Sequence, residues 1–262
     1  MKMKIPAPLP LLLCWMHLMD SEMILLGSPQ TIELNMANEA VDDMFDSCTK
    51  EMEKKIRQFK QESWETPQED WDRASRTKKK HNEDKDLTKN HMQAIWAYTS
   101  NSYYEDFNDA VRSCRNIYGS TFQYHRFYYW LTTAIQILKK NQQNCHKVYR
   151  RVKKTFTGKK NKVVRFGSFT STSSRTDMTY FGNETCFYIN TCLGAFLKDY
   201  STYSGEQEVP IPPYEQFKIS DIKEGIGKFK DMKDCKKTFI LESKEHLSNA
   251  NCRLISVSAE EL

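Results

Sequence analysis

Past its first twenty residues the 262-residue chain has no apolar run long enough to cross a membrane, since a spanning helix needs about 20 such residues. It has no G-x-G-x-x-G and no regular alternation of strand and helix patterns. A doubly wound dinucleotide-binding sheet and a phosphate loop are therefore both unsupported. Eight cysteines are present, but no C-x-x-C pair and no Cys/His cluster, so a zinc site is poorly supported and no metal is expected. There is no internal repeat. Apolar residues make up 39% of the chain, enough for one good-sized core, and a single monomeric domain is the expectation. The formal net charge of +5 is concentrated between Lys147 and Arg165. Nucleic acid is the first suspect for such a cluster, yet basic runs on strand edges are commonly solvated faces that discourage aggregation. No nucleic-acid partner is expected; an acidic ligand such as a pyrophosphate suits one or two of these side chains better.

What is present begins with Lys2 and Lys4, then an apolar run from Ile5 to Met19 broken by Pro6, Pro8 and Pro10. Asp20 and Glu22 cut it short, which reads as a cleaved secretory leader over residues 1–28, with the site near Gly27 to Gln30. An uncleaved signal anchor is the alternative. The mature domain then covers 29–262. In an oxidising compartment cysteines pair; removal of Cys14 leaves seven, so one is expected to be odd. Asn183-Glu184-Thr185 is a glycosylation sequon and fits a secreted chain.

Between about 38 and 140 the pattern is helical. Phe45, Met52, Ile56 and Phe59 open it, with Trp64 and Trp71 further on; Arg73 to Asn90 reads as an exposed polar stretch. Helical spacing returns at Met92, Ile95 and Trp96, and more densely at Phe127, Tyr128, Trp130, Leu131, Ala134, Ile135 and Leu138. These aromatics are read as core, with a base-stacking platform as the sharper and less favoured alternative. From about 145 to 255 the texture changes to short β-rich runs, at 148–151, 163–169, 185–191, 208–211 and 239–241. The expected fold class is α+β, with a helical half followed by a mainly β half.

Glu206 and Glu208 lie two apart. Where a chain enters a strand, that spacing points both carboxylates to one face, an arrangement suited to acid–base or cation chemistry. A pair of solvent-facing glutamates is the ordinary alternative, and spacing alone favours it. Their company changes the odds. Upstream come Val148-Tyr149-Arg150, then Val164-Arg165-Phe166-Gly167-Ser168-Phe169-Thr170-Ser171-Thr172-Ser173, Phe181-Gly182-Asn183 and Thr191-Cys192-Leu193-Gly194-Ala195. In that order these motifs resemble the vertebrate ecto-ADP-ribosyltransferases, marked by an arginine, a Ser-x-Ser strand and a Glu-x-Glu loop. Ala97-Tyr98-Thr99-Ser100-Asn101 and the helix around Trp130 to Leu138 resemble the helical half of that family.

The resemblance implies an ADP-ribosyltransferase fold, NAD+ as co-substrate and arginine side chains of extracellular or secretory-pathway proteins as acceptors. It makes Arg150 the holder of the NAD+ pyrophosphate or ribose, a task suited to a planar fork of donors. Ser171 would orient the catalytic glutamate and the nicotinamide ribose. Tyr98, Ser168 and Ser201 would line the NAD+ pocket, and Phe181 would stack near nicotinamide. Glu208 would grip the ribose 2-hydroxyl as oxocarbenium charge develops. Glu206 would position the acceptor guanidinium and draw off its proton, because that group is cationic at neutral pH. An ordinary structural role is the alternative for each of them. At the level of the whole chain, the alternatives are an NAD glycohydrolase and a catalytically silent extracellular recognition domain.

Arg151 departs from the family pattern, which has glycine after the motif arginine in many active members; it would crowd the pyrophosphate or point outward. Residues 256–262 lack the apolar tail that a GPI anchor needs, so a released protein, or a shortened form of an anchored one, is expected. Resemblance pairs Cys145 with Cys192, tying two strands of the NAD-binding sheet. Cys48 with Cys252 would close almost the whole domain, and Cys114 with Cys235 would be a third pair. Cys186 is then the odd residue, a buried thiol.

Overall fold

The computed structural model describes residues 31–59, 80–100 and 104–260. The leader, Trp64, Trp71, Asn101 and the first part of the charged stretch after Arg73 lie outside those residues. Among the described residues, four α-helices come before the main sheet: α1 (Thr49–Ile56), α2 (Lys89–Thr99), α3 (Tyr104–Ser113) and α4 (His125–Lys140). A short strand β1 (Thr31–Glu33) precedes them and pairs in parallel with β3 (Thr155–Thr157). The main sheet holds β2 (His146–Val152), β4 (Val163–Val164), β5 (Thr185–Thr191), β6 (Glu215–Glu224) and β7 (Lys237–His246), in the order β2-β5-β7-β6-β4. Only β5 and β7 run parallel within it. A last helix, α5 (Arg253–Glu260), follows.

Local chemistry explains the best-placed helix. Thr88 caps α2, and His91 three residues on stands where a capping box usually carries glutamate. His91 Nδ1 accepts from the Thr88 backbone N–H at 2.9 Å, and its Nε2 lies 3.1 Å from Thr133 Oγ1 on α4. Burial pushes the imidazole pKa down to about 4, so the ring is neutral: one nitrogen accepts and the other donates across the helix pair. Helix α4 is buried along nearly its whole length, from Phe127 to Ile135 and at Leu138. It is the spine of a cluster that also takes in Met52, Ile95, Tyr98, Phe107 and Phe169.

The sheet has two apolar faces, as strand alternation requires. Val148, Phe187, Ile189, Phe217, Ile219, Phe239 and Leu241 pack on one. Cys186, Met232 and Cys235, with Tyr149, Tyr188 and Phe229 beside them, form a smaller cluster where the loop that joins β6 to β7 packs on β2 and β5. A clasp of charges closes the chain on itself. Arg165 and Asp42, both fully buried, pair at 2.6 Å, and Asp42 also accepts from the Ala250 N–H and the Asn249 side chain. Arg165 donates further to the carbonyls of Met36, Ala37 and Leu247, and such added hydrogen bonds are what make a buried pair tolerable.

Three disulfides are present among the described residues: Cys48–Cys252, Cys145–Cys192 and Cys186–Cys235. The Cys145–Cys192 bridge continues the antiparallel register that sets His146 opposite Thr191. Pairing Cys114 with Cys235 is wrong, and so is Cys186 as the odd thiol. Cys186 sits opposite Thr238 near the start of the parallel β7, and Cys235 lies in the loop just before that strand, so the two sulfurs meet between β5 and the loop leading into β7. Cys114 is itself disulfide-bonded.

Two expected strands are also corrected. The run at 163–169 is a strand only at Val163–Val164, because Gly167 takes a positive φ of 73° and turns the chain. The segment 208–211 is no regular strand; it meets residues 170–173 through isolated antiparallel bridges, Ser173 with Glu208 and Thr170 with Ile211.

Candidate active site

The site is assembled where β2, the Ser171 segment and the loop before β6 converge. Arg150 lies on β2 opposite Phe187 of β5, and its Nη1 donates to the Ser171 carbonyl at 2.6 Å. The Ser171 hydroxyl donates to Glu208 Oε1 at 2.7 Å. Its oxygen lies 3.1 Å from the Tyr98 hydroxyl; with the single serine proton on the carboxylate, Tyr98 is the donor in that contact. Ser201 Oγ donates to the second carboxylate oxygen of Glu208 at 3.3 Å. Arg150, Ser171, Tyr98, Ser201 and Glu208 thus form one connected group drawn from four separate stretches of chain.

Burial decides the electrostatics. Glu208 is only 8% exposed, and desolvation pushes its pKa up to about 7, against the lowering effects of the Ser171 and Ser201 hydroxyls and of Arg150. The negative charge of Glu206 raises it further. A carboxylate near its midpoint at neutral pH is a common mark of a functional group. Tyr98, fully buried, has its phenol pKa held well above 10, chiefly by burial, so it stays a neutral donor.

Glu206 and Glu208 do not share the face of a strand. Glu206 ends a 3-10 turn over Ser204–Glu206, and Gln207 follows in the left-handed region at φ 50°, which sends the two carboxylates to different depths. Glu206 is half-buried at the surface, with Oε1 accepting from the Tyr180 hydroxyl at 2.9 Å. The turn is fastened from below: Ser173 Oγ donates to the Glu206 carbonyl at 2.5 Å, and Ser174 Oγ to Gln207 Oε1 at 2.6 Å. Tyr180 and Phe181 lie in a 3-10 turn with ring centroids 4.4 Å apart, and both are exposed, as is Tyr203. Phe181 therefore stands at the rim on the Glu206 side. Ser168 makes no hydrogen bond to the Glu208 group; its buried Oγ accepts from Arg112 of α3 at 3.0 Å.

Arg151 points neither to the Arg150 side of the sheet, where it would crowd a pyrophosphate, nor into solvent. As the next residue along β2 it faces the other side of the sheet, with a side chain only 3% exposed. Its guanidinium grips both carboxylate oxygens of Asp234, at 2.8 and 3.0 Å, and the Thr176 carbonyl. The third glutamate of the loop region, Glu215, is structural. It accepts from Thr191 Oγ1, the Cys192 and Leu193 N–H groups and Ser243 Oγ, closing the turn beside the Cys145–Cys192 bridge. Tyr180 has no signal in spacing or composition; the fold alone brings it to Glu206. An open cavity of about 430 Å³, lined by Phe45, Gln136, Lys139 and Tyr214 among others, contains none of these residues.

Comparison with known proteins agrees with this geometry. Residues 34–237 match the family described as NAD:arginine ADP-ribosyltransferase, and the chain belongs to that family. It is 31% identical over 247 residues to the erythroblast NAD(P)(+)–arginine ADP-ribosyltransferase of Gallus gallus, covering 87% of this chain and 78% of the relative. To T-cell ecto-ADP-ribosyltransferase 2 of Rattus norvegicus it is 32% identical over 250 residues, covering 90% and 85%. A crystal structure of a variant of the eucaryotic mono-ADP-ribosyltransferase ART2.2 in complex with NADH superposes with a TM-score of 0.68 at 30% identity, covering 84% of this chain and 98% of that one.

Proposed function

We propose that the chain transfers ADP-ribose from NAD+ to arginine side chains of extracellular or secretory-pathway proteins and releases nicotinamide. The observation that carries this reading is the buried Glu208, held by Ser171 at 2.7 Å with a second carboxylate, Glu206, two residues away. Loss of nicotinamide leaves positive charge on the ribose, and a fixed carboxylate beside the 2-hydroxyl gains strength as that charge appears. Ser171 and Ser201 fix both oxygens of Glu208, so little reorganisation is left for the reaction itself. Arg150 supplies a cationic fork for the NAD+ pyrophosphate or ribose, with Tyr98 as a neutral wall donor. Glu206, nearer solvent, receives the incoming guanidinium, orients it and takes its proton as the new C–N bond forms. Exposed Tyr180, Phe181 and Tyr203 flank that approach.

A single catalytic domain over residues 29–262, preceded by a leader, fits the disulfides and the ecto-enzymes among the relatives. NAD glycohydrolysis uses the same residues with water as acceptor. The direct test is Glu208→Gln, which keeps shape and removes charge. Nicotinamide release should fall by at least about a hundredfold, the scale set by loss of one preorganised electrostatic group. Turnover near the wild-type rate would overturn the assignment.

A further inference from the structure

We infer that the loop joining β6 to β7, together with the end of β2 beside it, is a binding face for a linear sulfated polysaccharide outside the cell. The choice of polyanion rests on the extracellular reading above. Residues 225–236 carry four lysines and two aspartates, and the fold sorts them by sign. Asp231 Oδ2 accepts from the Tyr149 hydroxyl at 3.0 Å, and Asp234 holds Arg151, so both carboxylates turn in toward the sheet. Lys228, Lys230, Lys233 and Lys236 are exposed. The ion pairs here use Lys236 with Glu184, Lys237 with Glu224 and Lys223 with Asp221, and among the described residues Lys228, Lys230 and Lys233 join none.

The loop that presents these lysines is braced. The Gly225 N–H donates to the Lys236 carbonyl and the Gly227 N–H to the Lys233 carbonyl, each at 2.7 Å. The Cys186–Cys235 bridge ties its end to β5, and Met232 packs beneath it with Phe229 beside. A fixed array loses little freedom on binding. The face continues onto β2: the Lys236 N–H donates to the Asn183 carbonyl at 2.9 Å, and Lys153 lies so close to Gly182 that a Cβ there would come to 2.8 Å of the Lys153 Cγ. Exposed Lys153 and Lys154 therefore border the loop across Gly182 and Asn183.

Ammonium groups meet a sulfate as point charges and need no planar fork. A chain of closely spaced sulfates can engage several of them together, releasing its condensed counterions. Other polyanions fit less well. Single-stranded nucleic acid is gripped by stacking its bases on aromatic rings, but the one ring in the loop, Phe229, is partly buried against the Cys186 cluster. Ile226 is the loop's single exposed large apolar residue, too little to seat the loop in a bilayer. The loop packs on the Arg151 side of the sheet, opposite Arg150, so a bound polysaccharide holds the enzyme at a surface while Glu208 stays open to NAD+.

The test measures binding of the full secreted chain to immobilised heparin. Affinity should fall by at least about tenfold between about 0.15 and 0.5 M salt. Changing Lys228, Lys230 and Lys233 together to Glu should weaken binding by at least about tenfold, whereas the same change at Lys50, Lys54 and Lys85, with equal loss of net charge, should cost at most about threefold. The loop variant should keep kcat/KM for NAD+ and agmatine within about a factor of two, because the sites are separate. If it does not fold, the triple change to Gln takes its place, with a loss of at least about threefold. No binding at about 0.15 M salt, or equal losses in the two triple variants, would overturn the inference. So would tighter binding to single-stranded RNA or to phosphatidylserine vesicles than to heparin, or binding by an Asn183→Gln form alone. These readouts do not depend on turnover, so absence of transfer to agmatine in the wild type would sink the transferase reading and leave this one standing.

Discussion

Because Glu208 must be charged to face an oxocarbenium-like ribose, its environment fixes how the rate depends on pH. Burial lifts its pKa to about 7 from an ordinary 4.5, a displacement of roughly 2.5 units or about 3 kcal/mol between its two forms. The active form is the deprotonated one. In the free enzyme kcat/KM for NAD+ should therefore rise about tenfold per unit as pH climbs toward 7 and level off above it. Two substitutions should move this limb in opposite directions. Ser171→Ala removes the 2.7 Å hydrogen bond to the carboxylate, worth about 1.5 to 3 kcal/mol for a charged acceptor, so the limb moves up by about one to two units. Glu206→Gln removes a neighbouring negative charge that raises the pKa, so the limb moves down by about half a unit. Nicotinamide release measured between about pH 5 and 9 reads the limb separately from the plateau. A wild-type limb near the ordinary carboxylate value, or both variants shifting the same way, would refute the reasoning.

Cysteine and arginine substitutions test the frame around the site. The Cys48–Cys252 bridge closes 204 residues, for which the chain-entropy model gives at most about 5 kcal/mol. Cys252→Ser should lower Tm by about 10 °C at that scale while kcat/KM at low temperature stays within about a factor of two; an unchanged Tm would show the bridge does not carry the fold. Arg151→Met keeps volume but loses Asp234 and the Thr176 carbonyl, so thermal stability should fall by about 2 to 4 kcal/mol with KM for NAD+ unaltered. A tenfold rise in that KM would mean that the side chain acts on the NAD+ site across the sheet.

Long periodic segments were legible from the amino-acid order. Helix α4 announces itself through dense apolar spacing, and β5 through an apolar and β-branched run, interrupted by Asn190, that follows turn residues. Strand β6 was not, because a register shift between Ile219 and Asp221 breaks the alternation that would mark it, just after two prolines. Helix α5 is short and weakly patterned. The Arg150, Ser171 and Glu208 set was legible as a resemblance of ordered motifs, but its geometry was not. Nothing in the spacing of Glu206 and Glu208 reveals the left-handed Gln207 that sets one carboxylate at the surface and buries the other. Tyr180 and Arg175 reach the 204–206 turn from 26 and 30 residues away in sequence, through tertiary contacts alone. Arg151 was recognised as a departure, and strand alternation could have placed it on the opposite face; that Asp234 receives it depends on a loop held by the Cys186–Cys235 bridge, where the sequence reading pairs Cys235 with Cys114 instead.

The central claim is that Glu208 breaks the bond to nicotinamide while Glu206 delivers the product to an arginine. Partition of label from NAD+ between agmatine and free ADP-ribose, compared in wild type and Glu206→Gln, tests it most directly. The wild type should place label on agmatine. In Glu206→Gln transfer should fall by about a hundredfold, the usual contribution of a positioned general base, while free ADP-ribose forms at a rate within about threefold of wild type. Equal transfer by the two proteins, or a parallel collapse of transfer and hydrolysis in the variant, would contradict that division of labour.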